Sequence, residues 1–215
     1  MRTIRINENF LLWGAAALGA VLLAAAIPCF SARLLETPGD DAREAMLEGW
    51  VVPPDRIQNF IETRHVAASF RPSRDIYADR ALGAYEEAKK AGLRTANGRK
   101  KLVECARWQL LALDLSPADT YGWARLAFVY WNLEGNASTA AAMALANSIV
   151  AAPYEPRLAV SRLTMAMVFQ AKLSTSVRAQ IPQMMRAAWK IDPRGTSKAA
   201  KEGGWEIPLR GIVGG

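Results

Sequence analysis

From Phe10 to Phe30 the chain reads FLLWGAAALGAVLLAAAIPCF, twenty-one residues without a charged side chain. A helix needs about 20 apolar residues to cross the hydrocarbon core of a bilayer. No other stretch of the sequence is as long and as apolar. The pattern predicts a chain that crosses a membrane once, at residues 10–30, with a short segment 1–9 before the span.

A cleaved signal and a permanent anchor share such a core and differ in the residues just after it. Cleavage after Ala26 puts Pro28 second in the product, cleavage after Ala32 puts Phe30 at −3, and Cys29 is preceded by Pro28, where a lipobox takes a small residue. The sequence favours the uncleaved anchor, with the cleaved signal as its rival. Arg2 and Arg5 precede the span, whereas Arg33 and then Glu36, Asp40 and Asp41 come after it. The Lys/Arg bias places the N-terminus in the cytoplasm and the rest of the chain outside it. Ala15 and Gly19 stand four apart and give the span a smooth strip for packing against another helix.

Beyond the span, subtracting Arg2, Arg5 and Glu8 leaves 25 basic and 19 acidic residues, an excess of +6. That balance suits anionic lipid headgroups, acidic proteins or anionic polysaccharide. The topology and the scatter of the basic residues argue against nucleic acid. Two cysteines, Cys29 and Cys105, do not make a disulfide framework.

Residues 31–74 read as a turn-rich linker carrying short helices at Ala42–Glu48 and Asp55–Thr63, with VVPPD and RPSR as breakers. From Asp75 the composition turns to long helical patterns. Breakers divide it into Asp75–Ala91, Arg99–Leu115, Ala118–Asn132, Thr139–Ala151, Glu155–Gln170 and Ser176–Ile191, three antiparallel pairs. Pro182 must either kink the last helix or mark its true start. Residues 195–215, with Gly203–Gly204 and Gly214–Gly215, are expected to be irregular, although Trp205, Ile207, Pro208 and Leu209 can dock on the last helix.

The pairs end at Pro117, Pro153 and Pro193, spacings of 36 and 40 residues. Trp123, Leu126, Ala127 and Tyr130, then Ala141, Leu145, Ser148 and Pro153, resemble the signature positions of a tetratricopeptide repeat, whose unit is about 34 residues. The flanking units resemble it less: the first keeps Cys105, Ala112 and Pro117, the last Met185, Ala188 and Pro193 with Ile181 where a small residue is expected. The resemblance covers 75–194 and implies an all-α fold: a transmembrane helix followed by a solenoid of about three stacked helix pairs.

Chemistry is sparse in this sequence. His65 is the only histidine, which excludes His-pair metal sites. There is no Walker A or G-x-G-x-x-G loop, Cys105 lies in a helical pattern without a nearby histidine, and Asn136-Ala137-Ser138 reads as loop chemistry. The sequence therefore points to no enzyme, cofactor or metal. The resemblance implies a scaffold or adaptor, periplasmic on a bacterial inner-membrane anchor, that grips a protein partner in envelope assembly, secretion or polysaccharide export. Tyr121, Arg125, Asn132, Arg157 and Arg162 are the candidate partner-binding residues. The alternative is a small accessory subunit held to an integral membrane complex mainly by its span.

Overall fold

A computed structural model describes residues 8–214, with side chains described from Trp13. Residues 1–7, including Arg2 and Arg5 on which the orientation expectation rests, and Gly215 lie outside the described residues. Among the described residues every regular element is helical. In chain order they are α1 (Glu8–Glu36), α2 (Asp40–Leu47), α3 (Pro54–Phe70), α4 (Arg74–Ala91), α5 (Ala96–Leu115), α6 (Thr120–Glu134), α7 (Thr139–Ala151), α8 (Ala159–Phe169), α9 (Thr175–Arg178), α10 (Ile181–Ile191), α11 (Pro193–Gly203) and α12 (Glu206–Val213).

Among the described residues one helix, at the N-terminal end, is long and apolar enough to cross a membrane; only 6% of its most apolar window is buried. Ala15 and Gly19 are exposed, and a Cβ added at Gly19 would meet nothing within 4 Å, so the small-residue strip is open. Pro28 sits inside α1 and the helix continues through it to Glu36.

After α1 the helices pack in sequence. Helix α3 lies against α1 and α4, α4 against α5, α5 against α6, α6 against α7, and α7 against α8, which in turn meets α10 and α11. A continuous apolar core runs from Ala81 to Leu209. It is rich in small residues, with Ala81, Ala88, Ala127, Ala141, Ala166 and Ala188 fully enclosed, and small side chains let helix axes approach closely. Leu126, Leu145, Leu163 and Met185 fill the spaces between them. Tyr85, Phe128, Trp131 and Phe169 continue across α4, α6 and α8 as edge-to-face contacts with centroids 5.9, 6.1 and 6.1 Å apart. That spacing and geometry suit the aromatic quadrupoles.

Three sequence expectations change. Residues 31–74 are packed structure: the breaker VVPPD leads into α3, 17 residues with Pro54 in its first turn, where the missing N–H costs nothing. The helix expected from Arg99 starts three residues earlier, at Ala96, capped by Thr95, whose Oγ1 accepts from Gly98 N at 3.0 Å. The C-terminal segment expected to be irregular forms α11 and α12. Asp192 caps α11 by accepting from Gly195 N at 2.8 Å, and Trp205 and Leu209 are buried. Pro182 stands at the start of α10, the second of the two places open to it.

Candidate functional site

The fold is organised around a buried arginine that the linker reading passed over. Arg64, 0% exposed on α3, donates through Nη1 to the carbonyl of Glu36 at 2.6 Å and through Nη2 to Asp40 Oδ1 at 2.8 Å. Its Nε donates to Asp79 Oδ2 on α4 at 3.2 Å, while Arg43 Nε donates to the other oxygen of Asp79 at 2.6 Å. The guanidinium also lies over the Phe60 ring, 4.3 Å from its centroid. A planar fork with five donors can serve acceptors in several directions at once, and an ammonium cannot. One side chain thus ties the end of α1, the start of α2 and the middle of α4. The signal was legible in outline: Ile57, Phe60 and Ala67 mark one buried face of α3 at helical spacing, and Arg64 falls on it.

Outside this hub a cleft of about 800 Å³ opens. Glu36, Asp40, Glu44, Glu48, Asp75 and Asp79 line it, opposed by Arg33, Arg43 and Arg157. Its excess of carboxylates contrasts with a chain whose formal net charge is +7. Buried groups such as Asp79 are already paired, whereas Glu44 and Glu48 are exposed and stand outside the ion pairs of the described residues.

Just past Leu47 and Glu48, which line the cleft, the chain forms an apolar tip. Helix α2 ends in a Schellman cap: Gly49 takes a positive φ of 81°, its N–H donates to Met46 O at 3.2 Å, and Trp50 N–H donates to Ala45 O at 2.9 Å. The residue after the cap glycine usually packs back on its own helix. Here Trp50 is 68% exposed, Val51 97% and Leu47 52%. The same cap ends α11, where Gly204 has φ 71° and Trp205 N–H donates to Ala200 O at 2.9 Å; there Trp205 is 4% exposed. Backbone bonds hold Trp50 outward on a fixed turn.

The sequence candidates fall in three places. Tyr121, Arg157 and Arg162 gather around Glu155. Arg157 is exposed and lines the cleft, its N–H donating to Glu155 Oε1 at 3.2 Å. The Tyr121 hydroxyl beside the Glu155 carboxylate holds its pKa below the usual range, while desolvation and the same carboxylate push the phenol up. Arg162 is 2% exposed, which corrects its assignment to a binding surface. It donates to Ser148 Oγ at 3.0 Å, to Ala152 O at 2.7 Å and to Thr120 Oγ1, so it fastens α6, α7 and α8 together. Burial pulls its pKa below the ordinary arginine value.

Arg125 is half-buried and also turns inward, donating to Ala78 O at 3.0 Å and Gln109 Oε1 at 3.1 Å. Asn132 lies apart from the cleft, in a recess with Arg94, Phe128, Trp131 and Asn136, and donates to Phe128 O at 2.8 Å. Cys29 and Cys105 are free, and burial pushes the Cys105 thiol up to about 12. Among the described residues no cluster of His, Cys, Asp or Glu could hold a metal ion.

Comparison with family models, with curated proteins and with solved structures finds no match.

Proposed function

We propose that this chain is a membrane-anchored adaptor: a single span with its N-terminus in the cytoplasm of a bacterial cell, and a periplasmic body of tetratricopeptide-like antiparallel helix pairs that holds a protein partner near the inner membrane. The observation that carries this reading is Trp50, fixed by backbone hydrogen bonds two residues beyond Glu48, which lines the charged cleft, and left open to solvent. Rigid, exposed aromatic side chains beside polar walls are the usual anchors of protein interfaces. The carboxylates around the tip favour a basic, apolar segment of the partner. Burial of Ala127, Ala141, Leu145 and Ser148 at the signature positions of the middle repeat supports the resemblance. The reading assigns the body binding and no catalysis.

A photo-cross-linking residue placed at Trp50, Glu44 or Arg157 in the full chain, irradiated in intact membranes, tests it. All three positions should give an adduct with one common protein, and Glu48→Lys should weaken that adduct. Adducts that form only from Ala15 or Gly19 would overturn it in favour of the accessory-subunit reading, which the open small-residue strip of α1 supports. Replacing α1 up to Phe30 by an unrelated span separates the two in the same assay. The adaptor keeps its cleft adduct, and the accessory subunit loses its partner.

A further inference from the structure

The contacts between α3 and α1 descend in step. Phe60 lies against Gly39, Arg64 binds the carbonyl of Glu36, and Ala67 shares a buried cluster with Ala32. Helix α3 therefore runs back along α1 toward the apolar stretch, and its last turn, ending at Phe70, comes level with residues 28–30. Burial along α1 agrees: side chains from Trp13 to Ile27 are exposed, whereas Pro28 and Cys29 are half-buried beside exposed Phe30. That last turn carries Val66 and Phe70, 44% and 48% exposed, and then Arg71, exposed and outside the ion pairs of the described residues. On α1, Phe30 and Leu34 are exposed at 70% and 61%.

We propose that the C-terminal turn of α3 is a foot seated in the lipid interface, with Val66 and Phe70 entering beside Phe30 and Arg71 meeting lipid phosphate. The inference rests on the reading that α1 spans the bilayer, because that reading puts Phe30 at the edge of the hydrocarbon. Aromatic rings and arginines are the side chains that settle at this depth, the ring at the acyl boundary and the guanidinium among headgroups. The opposite end of α3 is about 25 Å away along a 17-residue helix at 1.5 Å per residue, so the Trp50 tip stands clear of the lipid.

Nitroxide labels on the full chain test the foot, in discs of phosphatidylcholine with phosphatidylglycerol. Leu22→Cys, Phe70→Cys and Trp50→Cys are labelled singly in a Cys29→Ala background, with buried Cys105 left in place. Collision with oxygen and with a water-soluble nickel chelate reports depth. The expected result is a deep Leu22 label, a Phe70 label whose oxygen-to-nickel ratio is several-fold above that at Trp50, and a Trp50 label in water. A Phe70 label as wet as the Trp50 label beside a deep Leu22 label overturns the foot and leaves the span intact. A Leu22 label in water overturns both. Adding Arg71→Glu should move the Phe70 label toward water in anionic discs; an unchanged depth would overturn the phosphate contact.

Discussion

Arg64 donates to the carbonyl oxygen of Glu36 at 2.6 Å, so the last residue of the helix carrying the apolar stretch is held by a guanidinium from the body. The bond satisfies a carbonyl that a helix end otherwise leaves without an intrahelical partner. It is made inside the protein, where Arg64 is fully enclosed and paired with Asp40 and Asp79.

Removing one member of a buried ionic network leaves the others uncompensated, which costs more than the network itself contributes. Arg64→Ala should destabilise the chain by on the order of 3 kcal/mol, roughly 6–12 °C in Tm for a protein of this size. Arg64→Lys should recover only part of that loss. Thermal unfolding in detergent measures both. A loss below about 1 kcal/mol would mean that the network is structurally dispensable.

Gly39 tests the same hub from the other side. A Cβ there would run into Arg64 Nη1 and stand 3.1 Å from Phe60 Cδ2. Gly39→Ala should therefore cost about 1–3 kcal/mol from overpacking, and much less when Arg64 is already Ala. Additive effects in the double variant would contradict the contact.

Arg162 and Arg157 lie five residues apart on opposite sides of the surface. Arg162→Met should cost about 2–3 kcal/mol, because it strips charged hydrogen bonds from Ser148 and from the Ala152 carbonyl. Arg157→Ala should stay within about 0.5 kcal/mol, as exposed substitutions do. Trp50→Ala and Trp205→Ala form the parallel pair: near-neutral for the exposed ring, and about 3–5 kcal/mol for the enclosed one. Thermal or denaturant unfolding of the four variants measures the contrast.

Cys105 gives a pH signature. Its thiol is pushed from an ordinary 9.0 up to about 12 by burial, so between those values the unfolded chain releases a proton that the folded chain keeps. The unfolded state then binds fewer protons, and stability falls as pH rises. The contribution is complete below about pH 9 and lost progressively toward pH 12. Cys105→Ala should flatten that part of the stability profile relative to wild type. Identical alkaline slopes would place the thiol in contact with water.

The helical class was legible because proline, glycine and capping residues punctuate apolar runs, and Thr139–Ala151 has the bounds its flanking Ser138 and Pro153 suggest. The same punctuation misled where one residue serves two helices. Asp192–Pro193 ends α10 and also starts α11, as cap and first-turn proline. Gly203–Gly204 reads as a loose tail, yet Gly204 forms the cap that turns Trp205 onto Ala200. Of the candidate residues, Arg157 reached the cleft, whereas Arg125 and Arg162 point inward because their acceptors come from other helices: Ala78 and Gln109 for Arg125, Thr120, Ser148 and Ala152 for Arg162. Spacing along one helix carries no record of such acceptors. The cleft itself joins residues from 33 to 157, a distance no local pattern spans.

Because Pro28 does not end α1 and Arg64 clamps its last residue, no swivel separates the apolar stretch from the body. Twisting α1 about its axis must carry Trp50 and the cleft around with it, by about 100° for each residue of register. Any helix that settles on the Ala15–Gly19 strip would therefore set the compass bearing at which the body meets its surroundings.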